Sequence, residues 1–272
     1  MTQFARRVIS GGVAAVLLAG VALSAQAAPE QGTQKPFEPR VSQPGKDVVW
    51  VPTPQATVDA MLNLAKLTKD DFLVDLGSGD GIIVITAAKR GARAMGVEFN
   101  PDMVAFAEGR AKEAGVTARA TFKQGDFFKT DFSQANVLTM FLLPSLNEAL
   151  RPTILNMKPG TRVVTNTFRM GSGDDEWLPE TEHRVEPCSS SWCTAILYVV
   201  PAKVEGTWKT ANGELTLTQK YTTVNGRMGS NTISDGKVLG YDISFTAGGT
   251  KYTGTVSADG KSIKGANLNA TR

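Results

Sequence analysis

The sequence is poor in the residues that hold metals. Its 272 residues include one histidine, His183, and two cysteines, Cys188 and Cys193. A tetrahedral zinc site takes four ligands. One imidazole and two thiolates do not complete it unless carboxylates join, so no metal is expected. Net charge is also scarce, with 29 basic residues against 26 acidic ones and a formal +3. That surplus is no footprint for binding a phosphate backbone, so no nucleic-acid partner is expected. Long apolar runs are lacking as well. The stretch Val8–Leu23 is interrupted by Ser10, Gly11 and Gly12 and falls short of the ~20 apolar residues a spanning helix needs.

That N-terminal stretch reads as an address. Arg6 and Arg7 form a positive n-region, Val8–Leu23 an apolar core, and Ala25-Gln26-Ala27 a small-x-small cleavage pattern. Residues 1–27 are therefore expected to be a cleaved signal peptide. The mature chain is then exported to the periplasm, with no stable membrane insertion after cleavage. Adjacent Arg6-Arg7 followed by Val8-Ile9 resembles a twin-arginine signal, although Ala5 and Ser10 depart from it. An ordinary unfolded-chain signal fits equally well. Export allows a Cys188–Cys193 disulfide. Without residues 1–27, the balance is 27 basic against 26 acidic residues.

Residues 28–48 carry Pro29, Pro36, Pro39 and Pro44 among polar side chains and read as an extended lead-in. Thr53-Pro54 is a helix-start signal, followed by Val58, Met61, Leu62 and Ala65 on one helical face. Strands are expected at 72–76, 94–98, 121–124, 135–141 and 162–168, and helices at 82–89, 100–114 and 147–157. This alternation predicts a doubly wound α/β fold with a mostly parallel sheet. Two more strands, roughly 181–187 and 194–200, have no helix between them and should pair as an antiparallel hairpin at the sheet edge. Residues 49–201 form this domain. Residues 203–272 hold nine basic and five acidic residues, lack helical periodicity and are rich in Thr and Gly. They predict a separate antiparallel β module of about six strands. Asn225-Gly226, Asp235-Gly236, Gly248-Gly249 and Asp259-Gly260 are its hairpin turn signals.

The chemistry is expected at three strand ends. The first strand runs into Asp75-Leu76-Gly77-Ser78-Gly79-Asp80-Gly81. Glycines there let backbone approach a ligand, and the next helix offers free N–H groups. The spacing differs from a dinucleotide G-x-G-x-x-G, because the third glycine position holds Ile82. The second strand ends in Glu98, where an acid accepts both hydroxyls of a ribose. The third ends in Gly125-Asp126-Phe127, where Asp126 suits an adenine amino group and Phe127 the ring. Carboxyl ends of parallel strands are where doubly wound sheets bind ligands.

These residues resemble a family. The turn, Glu98-Phe99-Asn100-Pro101 and Gln124-Gly125-Asp126 look like the binding motifs of class I S-adenosylmethionine-dependent methyltransferases, over roughly residues 50–201. The resemblance implies a seven-stranded, Rossmann-like sheet with an antiparallel last strand. Val51-Pro52-Thr53-Pro54, Leu142-Leu143-Pro144 and residues 158–164 are similar to a bacterial subgroup. That subgroup is distantly related to mitochondrial lysine methyltransferases acting on an ATP synthase subunit and the adenine nucleotide carrier. The resemblance implies S-adenosylmethionine as cofactor, with Asp75, Gly77, Ser78 and Gly79 at its methionine end and Glu98 at the ribose. Asp126 and Phe127 would hold adenine, and Thr53 and Pro54 would close over the cofactor. Ile82 stands where the subgroup often has Arg, and Asn166-Thr167-Phe168 where it has an Asp.

The activity so implied is methyl transfer to a protein lysine or a small amine. No residue is assigned a catalytic role. The apolar Phe141-Leu142-Leu143-Pro144 is unlike the Asn/Asp-Pro-Pro of enzymes that methylate amides and bases. Asn147 and Glu148 are the nearest polar candidates, each also readable as part of a solvated helical turn. Trp50 and Trp177 are candidates for a substrate mouth, and Asp174-Asp175-Glu176 for facing a cationic partner. The alternative is a non-catalytic exported binding protein that uses this fold and the β module to hold a ligand or envelope partner. The export route has a direct test. Replacing Arg6 and Arg7 together by lysine keeps the charge and removes the pair. On the twin-arginine route the precursor then accumulates in the cytoplasm on immunoblots of cell fractions. Cleavage at the normal rate assigns the ordinary route.

Overall fold

A computed structural model describes residues 37–272 except Ser189; the expected signal peptide and the start of the lead-in lie outside the described residues. Helix α1 (Gln55–Leu64) precedes β1 (Phe72–Leu76), α2 (Ile82–Lys89), β2 (Arg93–Glu98), α3 (Pro101–Glu113) and β3 (Ala120–Gln124). Then come β4 (Val137–Met140), α4 (Pro144–Ile154), β5 (Arg162–Asn166), β6 (Thr181–Arg184) and β7 (Thr194–Val199). The seven strands form one sheet ordered β3-β2-β1-β4-β5-β7-β6. β7 runs antiparallel to both β5 and β6, which gives the expected edge hairpin.

The central strands are short apolar runs because both sheet faces are covered. Successive side chains alternate between them. Leu73 joins Met61, Leu62 and Val84 under α1 and α2, whereas Val74 and Leu76 join Leu138, Met140, Leu150 and Ile154 under α4. Two helix starts differ from expectation. Thr53 makes no capping hydrogen bond; Pro54 flanks α1, and Thr53 is buried instead. α4 begins at Pro144, three residues early, because proline's fixed φ suits the first helical position.

The C-terminal module is a closed barrel of eight strands rather than about six. They are β8 (Gly206–Thr210), β9 (Gly213–Lys220), β10 (Thr223–Met228), β11 (Asn231–Leu239), β12 (Asp242–Ala247), β13 (Thr250–Val256), β14 (Ser262–Lys264) and β15 (Asn269–Thr271). The last two are too short to show alternation in sequence. Two of the expected turns are not turns. Asn225-Gly226 lies inside β10 and Asp235-Gly236 inside β11, where the strand register shifts. Gly226 has φ +149, and a Cβ there would meet the Thr216 carbonyl oxygen at 1.9 Å. Such bulges bend strands and increase twist, as closing a small barrel requires. Trp208, Leu217, Val238 and Phe245 are among the side chains filling the interior.

The acidic run finds its cations inside this chain. Arg151 of α4 pairs with the Asp175 carboxylate and donates to the carbonyls of Met170 (2.9 Å) and Asp175 (2.6 Å). Asp175 also accepts from the Tyr221 hydroxyl of the barrel at 2.7 Å, and Lys220 donates to the Asp174 carbonyl. Glu176 pairs with Arg169 at 2.7 Å. Trp177 is fully buried against Tyr198 and Tyr221, so it is core and not a substrate mouth. Arg151 therefore ties α4, the loop after β5 and the barrel together. Arg151→Ala should cost about 2–3 kcal/mol in denaturant unfolding, since it strands two carbonyls and strips the Tyr221 ring of its cation. Asp175→Ala should cost no more than about 1 kcal/mol, its side chain being 67% exposed.

Candidate cofactor site

The cavity sits at the carboxyl ends of β1, β2 and β4. Thr53, Asp75, Gly77, Ser78, Gly79, Glu98, Asp126 and Phe127 all line it; Pro54 does not. Pro54 flanks α1 and fixes the entry of the chain behind Thr53. Asp75, the penultimate residue of β1, is buried and accepts from the Thr139 hydroxyl at 2.7 Å.

The amides of the glycine turn itself are largely engaged within the protein, while α2 begins without a side-chain cap from Gly81. The amides of Gly77 and Ser78 both donate to the Val97 carbonyl, at 2.9 and 3.0 Å. The Gly79 amide donates to Glu98 Oε2 at 3.0 Å, and Gly81 to the Ser78 carbonyl. Ile82 donates to Asp80 Oδ1 at 3.3 Å. These five donors are spent within the protein, so the turn offers a ligand little positive potential. The cavity wall is acidic instead. Among the described residues, Asp47, Asp75, Asp80, Glu98 and Asp126 line it, with Lys46 the one cationic lining residue.

The acids are fixed in different ways, Asp47 and Asp126 sharing Lys46. Glu98 uses both oxygens on backbone, Oε2 for Gly79 and Oε1 for the Asn100 amide at 2.9 Å. Each oxygen keeps further lone-pair capacity toward the cavity. Asp80 is paired with Arg110 of α3. Asp126 accepts from the Phe128 amide at 2.9 Å and lies 3.2 Å from Lys46. Desolvation pulls Asp126 upward, but the Phe128 N–H and the Lys46 ammonium outweigh it and hold the carboxyl below its ordinary value. Burial, reinforced by the charges of Asp80 and Glu98, pushes Asp75 up to about 7 despite the Thr139 hydrogen bond. Phe127 is buried and packs with the β4 side of the core, its ring 4.8 Å from that of Phe128.

The end of the lead-in lines the cavity, which composition alone does not reveal. Residues 43–51 cross the cavity, pinned by Ser42 N–H to the Trp50 carbonyl (2.8 Å) and Trp50 N–H to the Gln43 carbonyl (3.0 Å). Trp50 packs on Gly79, where a Cβ would meet the indole Nε1 at 2.5 Å. Trp50 thus does lie at the site. Asn147 does not sit in a solvated turn. It is fully buried and donates to the carbonyls of Phe168 (3.1 Å) and Arg169 (3.3 Å), holding the end of β5 against α4.

Strand order and an acid-lined cleft at the β1–β2 ends define the class I arrangement of methyltransferases that use S-adenosylmethionine. Comparison with known proteins agrees. Residues 75–180 match the model of the ANTKMT methyltransferase domain. A protein-lysine N-methyltransferase of Saccharolobus islandicus is 43% identical over 156 residues, which is 56% of this chain and 94% of that protein. The human lysine N-methyltransferase named for a component of the ATP synthase is 39% identical, over 48% of this chain and 56% of its own length. The chain thus spans about half of that mitochondrial relative. A crystal structure described as an RNA methyltransferase from Salinibacter ruber, in complex with S-adenosyl-L-homocysteine, is 44% identical, with a TM-score of 0.52. It covers 57% of this chain and 96% of that one. The chain belongs to the class I S-adenosylmethionine-dependent methyltransferases, on the branch related to the mitochondrial lysine methyltransferases. S-adenosylmethionine is its methyl donor. An acid-lined wall with an unpartnered, buried Ser78 hydroxyl suits a cationic ligand that carries no phosphate.

Asp75 gives this site a pH signature. Its folded pKa of about 7 lies above the ordinary 3.8. The stability it contributes is therefore complete below about pH 4 and lost as pH rises toward 7. Asp75→Asn should stabilise the ligand-free protein at pH 8 by up to about 4 kcal/mol and leave it unchanged at pH 3.5. Urea unfolding at the two pH values reads the difference.

Proposed function

We propose that the chain transfers the methyl group of S-adenosylmethionine to the ε-amino group of a protein lysine. The observation that carries this is the 43% identity to a protein-lysine N-methyltransferase of which 94% is matched. Relatives named for lysine methylation of an ATP synthase component and of the adenine nucleotide translocase support it. Membership in an enzyme family favours methyl transfer over the non-catalytic binding alternative.

Within this reading Glu98 holds the ribose hydroxyls, and Asp126 and Phe127 the adenine. Asp75, Gly77, Ser78 and Gly79 border the methionine end, and Thr53 closes the cavity beneath the 43–51 segment. When bound, S-adenosylmethionine supplies a methyl already activated on a sulfonium sulfur. The N–C bond forms as the methyl–sulfur bond breaks, with the electron pair staying on sulfur. The amine must therefore arrive as the free base, having given its proton to water. The protein's part is alignment and a dry site. Ionised Asp75 complements the ligand's positive charge, so affinity should rise with pH through about 7. Export to an oxidising compartment is part of the proposal. It is supported by the N-terminal signal pattern and by the Cys188–Cys193 bridge.

An RNA acceptor is the second reading, favoured by the description of the Salinibacter ruber structure. The acid-lined cavity weighs against it. Incubating the mature chain with methyl-tritiated S-adenosylmethionine, an envelope-protein extract and total RNA separates the two. Label released as methyllysine on acid hydrolysis is expected; label in nuclease-sensitive material would overturn the lysine reading. Glu98→Ala should raise the Kd for S-adenosylmethionine about 10- to 150-fold by calorimetry, the cost of charge-assisted hydrogen bonds. Undiminished binding would refute its assignment.

A further inference from the structure

Three aromatic rings meet beside the cofactor cavity, each from a different strand end. Phe141 follows β4, Phe168 follows β5, and Trp192 sits in the loop between β6 and β7. Phe141 and Phe168 stack with centroids 6.0 Å apart and planes 22° apart, and Trp192 lies 6.3 Å from Phe141. Phe141 also lines the cavity, which makes the group continuous with it. None of the three belongs to the apolar clusters on either face of the sheet. Trp192 is 38% exposed and the neighbouring Leu143 41%.

We infer that Phe141, Phe168 and Trp192 form the entrance for the methyl acceptor and hold it as an alkylammonium cation on their ring faces. This rests on the amine-acceptor reading above. The sign of charge selects the occupant. Five carboxylates and one ammonium line the cavity behind the rings, and aromatic faces carry negative quadrupole potential. A phosphodiester meets the wrong sign at both places. An amine meets a favourable face while charged, and gives its proton to water at this entrance before it meets the methyl group.

The bridge sets the geometry of this entrance. Cys193, next to Trp192, is 1% exposed and bonded to Cys188 across the loop. The Trp192 amide donates to Ser190 Oγ at 3.2 Å, inside the same closed loop. Reduction should loosen Trp192 without touching the ribose end of the cavity.

The test uses the mature chain labelled at its indole nitrogens. The Trp192 resonance is assigned with Trp192→Phe. Nα-acetyl-Nε-trimethyllysine amide is the probe, and its uncharged tert-butyl carbon isostere is the control. The cation should shift the Trp192 resonance and bind at least tenfold more tightly than the isostere. Phe168→Leu should weaken the cation severalfold, and the Cys188→Ser/Cys193→Ser double variant likewise, both with S-adenosylmethionine affinity retained by calorimetry. Equal binding of cation and isostere, or no shift at Trp192, overturns the inference. Lysine labelling is measured separately. Cation binding without methyllysine sinks the lysine reading and leaves the entrance standing; methyllysine without cation binding sinks only the entrance.

Discussion

The site depends on how β2 ends. The Val97 carbonyl accepts the amides of Gly77 and Ser78, and the Glu98 carboxylate accepts those of Gly79 and Asn100. Two consecutive residues thereby fold the turn after β1 onto the end of β2 and start α3. The same contacts consume the donors that would otherwise attract an anion. A fold often associated with phosphate binding is thus left with an acidic mouth. Removing the Glu98 carboxylate frees the Gly79 and Asn100 amides at once, so its effect on the turn is larger than one hydrogen bond suggests.

Much of the α/β domain was legible because local and tertiary preferences agree there. β1 and α2 occupy their expected residues because an apolar run, a glycine turn and a second apolar run leave one economical arrangement. Asn100 caps α3 with its side chain, as Asn-Pro implies. The expected residues from Asp75 to Phe127 line one cavity because strand ends converge in any doubly wound sheet. What stayed hidden depends on distant partners. Nothing local announces that Asn147 is buried under the Phe168 carbonyl, or that Trp177 meets Tyr221 of the barrel.

The barrel shows the limit of dipeptide signals. Asn-Gly and Asp-Gly favour positive φ, and a hairpin turn and a bulge both use that property. Which one forms is decided by the sheet around it. In β10, Gly226 must pass under the Thr216 carbonyl, and the strand continues to Met228. The true reversal lies three residues later, at Gly229-Ser230. Sequence spacing alone could not rank these two, because closure of the barrel is a property of all eight strands.

The acids of the cavity are not equivalent, and the difference follows from burial and partners. Asp126 is held below the ordinary carboxylate value because an amide and Lys46 stabilise its charge. Asp75, dry and facing Asp80 and Glu98, is close to half-protonated at neutral pH. The ligand-free cavity therefore sheds part of its mutual repulsion by holding a proton on Asp75. A cation arriving in the cavity reverses that preference, and the proton leaves as the ligand binds. Binding and proton release are then one event. Asp80 and Asp126 are meanwhile neutralised by Arg110 and Lys46, so the proton on Asp75 relieves a carboxylate that has no cation of its own.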